Sequence, residues 1–482
     1  MVIPAPAIQP APQIRKKKSV SIPFSEVARN NLRFEAASYN IEGRALFSIL
    51  QSCPYTLIPL LNADRGLCKS AHNAFRFKRV FVDEEHGVPF LTSSNIIELN
   101  PKPDCFLSKK QTRNLQKLII SPWDVLVSCS GTIGNINITS PSMAGWALSQ
   151  DAIRITAPDP DTAGYVTAFL RSPYGLSQLQ GFTYGSVVQH IEPEHLRSVF
   201  IPDLPPILKI FVGHSFVEAA LKRDQANSLL DEAEKMLEEA LKLPSISQIP
   251  RGPLFSKVRF ADWQGRLDAS FHSIQAQAAL STLRDNNLTL SRLDDPLLTN
   301  RIWAVTKFRK RTFIQRGGIP MLSSKQIFQI APVDVKKLAL GAHLDDMDEI
   351  GLKENLVLVT RSGTIGKVQI IPKYMNDWAG SEHAHRIEGI SNELAGYIFT
   401  WLNCPYGQIL LEHYQYASVI THIDKDMLSS VQVPILPLQD MENIGRKVLE
   451  ANTLRNEAWE LEQKALEFLN AEIEKDKKES FS

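Results

Sequence analysis

The sequence is poor in cysteine and contains no long apolar run. Its five cysteines among 482 residues are scattered, and none forms a Cys-x-x-Cys pair, which argues against a zinc site and a disulfide framework. Because no run of about 18 apolar residues occurs, we expect neither a membrane span nor a membrane partner. The basic residues 15–18 follow a Pro/Ala-rich stretch instead of preceding an apolar one, so no secretory signal is expected and we predict a cytoplasmic protein.

A repeated sequence shows how the chain is organised. Ser-Gly-Thr-Ile-Gly occurs at 130–134 and again at 362–366, and the apolar runs around each copy predict a strand, a tight turn and a strand. Other pairs recur at the same spacing of 232 residues: Ala163-Gly164-Tyr165 with Ala395-Gly396-Tyr397, Pro173-Tyr174-Gly175 with Pro405-Tyr406-Gly407, and His190-Ile191 with His422-Ile423. Solenoid repeats are roughly 20–50 residues long, so two long copies predict a tandem duplication with two globular units.

Composition and pattern divide the chain into six segments. In each globular unit, short β-type runs precede a helix, at about 163–180 in the first unit, that Pro173 is expected to break; this mixture is typical of an α+β fold. The predicted segments are a disordered, basic, Pro-rich tail at 1–30, a first globular unit at 31–205, a long helix at 206–243, a linker at 244–259, a second globular unit at 260–437 and a second long helix at 438–478.

Apolar residues in the two long helices alternate at spacings of three and four. The predicted seam consists of Ala226, Leu230, Ala233 and Leu237 in the first helix and of Leu454, Ala458, Leu461 and Ala465 in the second. This heptad pattern, interrupted at Arg223, predicts an antiparallel coiled coil with charged residues on its outer faces and a pseudo-twofold axis relating the two units. The alternative is that each helix packs separately on its own unit.

Sequence motifs for nucleotide binding and methyl transfer are missing. Residues 363–367 resemble a Walker A loop, but their glycines are too closely spaced and the counterpart at 131–135 has no lysine. Residues 403–406 resemble the Asn-Pro-Pro-Tyr motif of adenine methyltransferases, but the counterpart at 171–174 has no asparagine. We therefore do not expect this chain to bind nucleotide or to transfer methyl groups.

The histidines give no sign of catalysis either. The Glu-His-x-His spacing at 382–385 suits a metal, but its counterpart at 150–153 lacks it. His190 and His422 are equivalent and have no duplicated nucleophile or acid beside them in sequence, so packing or phosphate contact is expected of them. The sequence thus predicts a binding protein with no catalytic residue, metal or cofactor of its own.

The joint arrangement resembles the specificity (S) subunit of type I restriction-modification systems. The resemblance covers almost all of the chain after residue 30. It rests on Arg266-Leu267-Asp268-Ala269 with its echo Arg33-Phe34-Glu35-Ala36, on the two Ser-Gly-Thr-Ile-Gly turns, and on the segments that lead from 185–186 and 417–418 to Ile-Pro and Val-Pro. The order, a globular unit and then a helix twice over, is also that of the family, although Ala417 stands where the family often has glycine.

The resemblance implies two target recognition domains, each reading one half of a split, asymmetric sequence in double-stranded DNA. The helices would fix the spacing, and two methyltransferase subunits would dock on the chain, bind S-adenosylmethionine and methylate adenine. Restriction subunits with translocase and nuclease activity are a further partner that the resemblance allows. The alternative function is a coiled-coil adaptor or scaffold of a related phage-defence complex without restriction activity.

Basic residues cluster in the globular units, while acidic residues cluster on the helices, so that a net charge of only +1 conceals a strong separation of charge. Cations supply the phosphate contacts of DNA-binding proteins. The candidate DNA contacts are Lys109, Lys110 and Arg113 in the first unit and Lys307, Arg309, Lys310 and Arg311 in the second. Simple turn capping and DNA contact stay open for the turn residues Ser130, Thr132, Arg361, Ser362 and Thr364.

Overall fold

The computed structural model describes residues 21–29, 39–103, 105–184, 189–250, 257–260, 263, 265–266, 268, 271–305, 311–315, 317–362, 365–417 and 421–475. Residues 1–20 and 30 of the predicted tail lie outside the described residues. Helix α1 (Phe24–Arg29) occupies part of that segment, where the sequence predicted disorder, and its Val27 is buried. The chain forms two compact units. The described residues of the first unit come from within Pro6–Asp224, Gln329–Val333 and Glu457–Ser482, and those of the second from within Gln225–Phe328 and Asp334–Asn456.

The first unit mixes helices with short strands. Besides α1 its helices are α2 (Ile41–Gln51), α3 (Pro160–Arg171), α4 (Pro173–Gly181), the first half of α5 (Pro206–Leu241) and the second half of α11 (Leu438–Ile473). Its strands are β1 (Leu57–Pro59), β2 (Ser70–Asn73), β3 (Phe81–Val82), β4 (Gly87–Leu91), β5 (Phe106–Ser108), β6 (Asp124–Ser128), β7 (Ile136–Ile138), β8 (Ala147–Leu148), β9 (Ala152–Thr156) and β10 (Phe200–Pro202).

The strands of the first unit form three sheets. One is antiparallel with the order β2-β9-β6-β7, the second has the order β3-β5-β4-β8 with β4 and β8 parallel, and β1 pairs with β10. Strand β6 is buried along its whole length, and its three central residues are apolar because its two faces meet different cores. Val125 and Val127 pack with the helices, whereas Leu126 packs with the second sheet's residues around Leu91.

The second unit repeats this topology. Its helices, apart from its share of α5, are α6 (Ile274–Asp285), α7 (Met347–Ile350), α8 (Asn392–Asn403), α9 (Pro405–His413), α10 (Lys425–Ser429) and the first half of α11. Its strands are β11 (Leu290–Arg292), β12 (Thr299–Ala304), β13 (Phe313–Ile314), β14 (Ile319–Leu322), β15 (Lys336–Leu338), β16 (Val357–Thr360), β17 (Val368–Ile370), β18 (Ala379–Gly380), β19 (Ala384–Gly389) and β20 (Gln432–Pro434). The orders β12-β19-β16-β17, β13-β15-β14-β18 and β11-β20 match those of the first unit strand for strand. The predicted duplication and the α+β fold class are confirmed.

The repeated Ser-Gly-Thr-Ile-Gly sequence connects two antiparallel strands, as predicted. In the first unit Val127 of β6 pairs with Ile136 of β7, and the Ser128 hydroxyl donates to the main-chain oxygen of Thr132 at 2.6 Å. Gly131 has a φ of 75°, a value that favours glycine. The equivalent Gly363 lies outside the described residues.

The repeated Ala-Gly-Tyr sequence makes two long-range contacts in each unit. The Tyr165 hydroxyl donates to the main-chain oxygen of Pro202 at 2.6 Å, and Tyr397 does the same to Pro434 at 2.7 Å. Beside each tyrosine a glycine allows two helices to touch. A Cβ on Gly164 would lie 2.1 Å from the main-chain oxygen of Gly213 on α5, which explains why glycine recurs on both helices in the second unit.

Replacing Gly213 with alanine is expected to destabilise the first unit by about 1–3 kcal/mol, the usual range for overpacking. A Cβ at this position would come within 1.9 Å of the main-chain oxygen of Asp161, so α3 and α5 would have to separate. Gly181→Ala is the matched control, because it changes a helical glycine of the same unit whose added Cβ meets no atom within 4 Å. Thermal unfolding of the full chain measures the difference, and equal melting temperatures for both variants would contradict the close helix contact.

The long helices α5 and α11 run antiparallel within each unit. In the first unit the Phe211 ring lies 5.0 Å from that of Phe468, and Lys222 pairs with Glu457 at 2.7 Å. In the second unit Lys447 pairs with Glu232 at 2.9 Å. The predicted antiparallel pairing is confirmed, while the pseudo-twofold axis stays a prediction.

The alternative prediction, that each helix packs separately on its own unit, is wrong, because the paired helices pack on the units together. The α5 seam is buried as predicted and shares one core with residues of β16 and α8; its members are Ala226, Leu230, Ala233 and Leu237. At the other ends of the helices, Val212 and Phe216 of α5 and Ala465 and Leu469 of α11 belong to the core of the first unit. Each long helix therefore belongs partly to one compact unit and partly to the other, and does not form a separate helical segment.

The seam predicted for α11 is wrong by one residue at two positions. Ala458 and Ala465 are buried, but Leu454 and Leu461 are only half-buried. Arg455 and Glu462 take the buried positions instead, each with 1% of its surface exposed. Sequence reasoning placed charged residues on the outer faces, which is where most of them lie. It had no sign that Glu462 would meet arginines of α3 and α5, or that Nη2 of Arg455 would lie 3.5 Å from Oδ1 of Asn227 on α5.

Glu462 is held by two arginines in the first unit. It accepts two hydrogen bonds from Arg171, both at 2.9 Å, and two from Arg223, at 2.6 and 2.8 Å. Burial alone raises the pKa of the Glu462 carboxyl, but the charges and hydrogen bonds of the two arginines outweigh burial and lower the pKa to about 2. The predicted interruption of the seam at Arg223 is thus a buried ion triad.

Candidate nucleic-acid interface

In the first unit the Ser-Gly-Thr-Ile-Gly turn is joined to the segment that follows α4. The Ile191 amide donates to the main-chain oxygen of Cys129 at 3.0 Å, and the Gly131 amide donates to that of Gln189 at 3.0 Å. His190 is bridged to Tyr184 through both main-chain groups, with their rings 5.8 Å apart. These contacts hold a turn, a histidine and a tyrosine together at one place on the unit.

The second unit builds the same arrangement. The Ile423 amide donates to the main-chain oxygen of Arg361 at 3.1 Å, and His422 is bridged to Tyr416 with their rings 5.9 Å apart. We call each assembly a turn cluster. In the first unit it comprises Arg79 and residues 129–134, 150–151, 184 and 189–192. The turn cluster of the second unit comprises the residues 232 positions later. Residues 185–188 of the first unit and residues 363–364 and 418–420 of the second lie outside the described residues.

The backbones of the two clusters are alike, but their polar side chains differ. The Ser130 hydroxyl donates to Asp151 at 3.3 Å, whereas the equivalent Ser362 hydroxyl lies 2.9 Å from Nδ1 of His383. An arginine reaches each cluster from a neighbouring segment. Arg79 donates to Gln150 at 3.2 Å, and Arg311 forms an ion pair with Glu382.

The charges of the clusters follow from burial and pairing. Burial by itself raises the pKa of Glu382, but main-chain hydrogen bonding and Arg311 outweigh it, so the pKa is lowered and the carboxylate stays ionised. The hydrogen bond from Tyr184 to Glu192 raises the pKa of the tyrosine to about 12, which keeps its hydroxyl protonated. Both groups are therefore fixed as hydrogen-bonding partners at neutral pH.

The metal-like spacing of Glu382, His383 and His385 does not gather three ligands at one point. Glu382 pairs with Arg311, and His385 is buried with Nε2 2.8 Å from the main-chain oxygen of Ile423. Burial lowers the pKa of His385 to about 4. His385 thus acts as a neutral support beneath the turn, and no metal-ligand cluster occurs among the described residues.

Ala417 shows why this position favours glycine. Its φ is 71°, in the left-handed region that costs a residue with a side chain about 1–2 kcal/mol. The equivalent residue of the first repeat is glycine in sequence. The departure from the family pattern therefore places strain beside the second turn cluster.

The predicted basic residues of the first unit form an exposed loop directly after β5. Lys109, Lys110 and Arg113 are all exposed, and the loop is anchored where the Lys109 amide donates to the main-chain oxygen of His86 at 3.1 Å. The hydrogen bond from the Ser108 amide to Val80 places the start of this loop beside β3. The start of the loop thus lies beside Val80, the residue between Arg79 and β3.

The other predicted contacts fall in several places. Ser130, Arg361 and Ser362 are half-buried in the turn clusters, and Thr132 is exposed at the tip of the first turn. Arg311 is exposed and joins the second cluster through Glu382. Four predicted residues lie outside the described residues: Lys307, Arg309, Lys310 and Thr364.

Sequence reasoning missed the equivalence of Arg79 and Arg311. Arg311 was predicted as a DNA contact from its basic neighbours, whereas Arg79 was not among the predicted site residues. The spacing of 232 residues that relates the turns also relates these two arginines. Applying that spacing to single residues, and not only to motifs, would have found them.

A comparison with protein families bears on the second cluster. A family model described as the type I restriction modification DNA specificity domain matches residues 304–464. Over this range, about a third of the chain, the sequence is similar to a DNA specificity domain of that family. The resemblance predicted from the sequence is confirmed here, and the matched range contains Arg311 and the positions of the second turn cluster.

Solved structures of specificity subunits also resemble this chain at low sequence identity. The S subunit of a type I restriction-modification system from M. genitalium is 12% identical, with 87% of this chain and 98% of that one covered and a TM-score of 0.29. The HsdS subunit from Thermoanaerobacter tengcongensis is 14% identical, with 85% and 98% covered and a TM-score of 0.26. A comparison with curated proteins found no match. Within the described part of the chain, no helix is both long and apolar enough to cross a bilayer.

Proposed function

We propose that this chain is a sequence-specific DNA-binding subunit that recognises a bipartite, asymmetric target and directs methyltransferase subunits to it. The observation that carries the proposal is the duplicated turn cluster, one copy of which lies inside the DNA specificity domain. The two copies share a backbone but differ in side chains, with Asp151 in one and His383 in the other. Two such frameworks fit a target whose halves differ in sequence.

The distribution of charge supports DNA as the ligand of the units. The loop of Lys109, Lys110 and Arg113 is exposed and carries no acidic residue, so it suits contact with phosphates. Phosphate contacts position a protein on the duplex, whereas polar side chains that reach base edges specify sequence. We assign the first role to the basic loop and the second to polar residues around the turn clusters.

The long helices suit protein partners. Asp231, Glu238 and Glu239 are exposed on α5 and would repel DNA. We therefore assign the docking of two methyltransferase subunits to the helices and their flanks, with S-adenosylmethionine bound by those subunits. The specificity subunit itself performs no bond-making step, and restriction subunits join it in complexes that also cleave DNA.

Footprinting of the full chain with its methyltransferase subunits tests the proposal. We expect protection of two short segments separated by an unprotected spacer on a preferred DNA. Replacing Lys109, Lys110 and Arg113 with alanine is expected to weaken binding to every DNA alike and to lower the slope of log K against log salt by up to about 3, since each phosphate contact contributes roughly 0.9. The preferred sequence should not change.

Lys235→Ala is the matched control, because Lys235 is also an exposed cation, lies on α5 and pairs with Glu239 at 3.8 Å. It is expected to leave the salt slope unchanged. Equal affinity of the wild-type complex for all sequences at about 0.2 M salt, where non-specific binding is weak, would refute the proposed specificity. Capture of methyltransferase without any DNA preference would favour the adaptor function instead.

A further inference from the structure

Both units expose a phenylalanine at the same point on a sheet edge. Phe81 lies on β3 and is 50% exposed, and Phe313 lies on β13, 232 residues later, and is 40% exposed. Each strand is the first in its four-stranded sheet and has one neighbour, β5 or β15. A single exposed aromatic residue is ordinary. Its recurrence at equivalent positions, where the surrounding sequences differ, requires a shared cause.

Each phenylalanine is accompanied by cations. Two residues before it stands the arginine of the turn cluster, Arg79 or Arg311. In the second unit Lys336 Nζ lies 5.2 Å from the centre of the Phe313 ring, and in the first unit the basic loop begins beside Val80. The residues that follow the two strands differ, since they are acidic at 83–85 and read Gln-Arg-Gly at 315–317. The feature that both units share is therefore the arginine followed two residues later by the exposed phenylalanine.

The arginines connect this edge to the turn clusters. Arg79 donates to Gln150 at 3.2 Å and lies 3.6 Å from Asp151, which in turn accepts from Ser130. Arg311 pairs with Glu382, whose neighbour His383 contacts Ser362. In each unit the arginine two residues before the exposed ring is therefore bound to the turn cluster by hydrogen bonds or ion pairs. We call Arg79 with Phe81, and Arg311 with Phe313, the edge pairs.

We propose that the edge pairs are the DNA contact shared by both units, in which each arginine contacts a phosphate and each phenylalanine contacts bases through its exposed ring. This inference rests on the proposed function and deepens it. Neighbouring cations match the charge of a duplex, and proteins that bind the minor groove insert apolar side chains such as phenylalanine between base steps of duplex DNA. The edge pairs thus position both units, while the differing residues of the clusters select sequence.

The test compares variants of the full chain in complex with its methyltransferase subunits. The probes are a DNA duplex selected by the wild-type complex and a scrambled duplex of equal length. Phe81→Ala and Phe313→Ala are each expected to raise Kd at least about tenfold for the selected DNA, which corresponds to about 1.4 kcal/mol, without changing the salt slope. Arg79→Gln and Arg311→Gln are expected to lower that slope by about 1 for both duplexes.

Phe200→Ala is the matched control. Phe200 is also exposed, to 37%, on a short strand of the first unit, β10, that lies outside the turn cluster. It is expected to bind DNA like the wild type. Phe81→Leu keeps an apolar side chain against Phe90, whose ring lies 6.1 Å away. Loss of affinity in this variant at an unchanged melting temperature separates ring contact from misfolding.

Three outcomes overturn the inference. Variants of Phe81 and Phe313 that bind like the Phe200 control would show that the rings do not touch DNA. Loss of methyltransferase from the purified complex, with DNA affinity lost only in proportion, would assign the edge pairs to a protein contact. A wild-type complex that binds both duplexes equally would refute the proposed function and this inference with it.

Discussion

Replacing Glu462 with leucine is expected to destabilise the first unit by about 3–5 kcal/mol, the cost of removing one member of a buried ion group. Arg171 and Arg223 would stay buried and lose the carboxylate that accepts four hydrogen bonds from them. For a unit of this size the loss corresponds to a fall in melting temperature of roughly 10 °C. Calorimetry of the full chain measures it, and Glu467→Leu, an exposed neighbour on α11, is expected to change stability by less than about 0.5 kcal/mol.

Changing the whole triad separates charge from packing. A chain with Arg171→Met, Arg223→Met and Glu462→Leu together is expected to be about as stable as the wild type or more stable, because hydrophobic residues of similar volume often replace buried ion groups without loss. If the triple variant were as unstable as Glu462→Leu alone, the space between the helices and not the charge would be responsible.

Acid should weaken the triad with a defined sign. The pKa of Glu462 is lowered from 4.5 to about 2 in the folded protein. Its contribution, on the order of 3 kcal/mol, is therefore complete above pH 4.5 and is lost as the pH falls from 4.5 towards 2. We expect the difference in melting temperature between the wild type and Glu462→Gln to shrink when the pH is lowered from 7 to 3. A constant difference would contradict the role of the ionised carboxylate.

Replacing Arg386 with methionine is expected to destabilise the second unit by about 3 kcal/mol. This arginine of β19 is fully buried and donates to four main-chain oxygens, those of Ile350, Gly380, Ser381 and Ala384. Burial lowers its pKa to about 10, so it remains charged at neutral pH. Buried carbonyl groups that lose a donor cost about 1–3 kcal/mol each, partly offset here because the desolvation of the guanidinium is removed.

The equivalent Arg154 provides the control. It is only half-buried on β9, interacts with His72 and Asp124 at 3.0 and 3.8 Å, and donates to one main-chain oxygen, that of Ile119, where Arg386 donates to four. Arg154→Met is therefore expected to cost less than half as much as Arg386→Met in the same urea or thermal unfolding measurement. Equal losses would indicate that the arginine stabilises both sheets through its aliphatic part and not through the main-chain oxygens.

The repeat made much of the fold predictable from sequence. Identical residues such as Tyr165 and Tyr397 serve identical contacts, and the break between α3 and α4 lies at Pro173 as expected. Apolar periodicity also predicted both long helices closely, because each helix begins directly after a proline-rich segment. These features depend on local pattern and on recurrence, both of which a single sequence displays.

The remaining features depend on partners that are distant in sequence. Arg455 and Glu462 look like surface residues, because a heptad pattern counts charges as exposed unless their partners are known. Arg386 stands between other polar residues of β19, His385 and Glu388, so nothing in the sequence marks it as buried. Its four acceptors are main-chain atoms, which the sequence does not distinguish. The candidate site was predicted in part. The basic loop was found by charge, whereas Arg79 and Phe81 required the spatial link to the turn cluster.

The division of α11 between the two units has a consequence for how the protein is made. The core of the first unit contains Ala465, Leu469 and Ile473, although its other core residues lie before residue 221. A ribosome that adds about 5–20 residues per second needs roughly 12–50 s to travel from one set to the other. During that time α5 lacks the part of α11 that packs beside it in the first unit. The core of the first unit is therefore begun first and completed last. We expect nascent chains that stop before residue 465 to depend on chaperones, because this core is still incomplete in them.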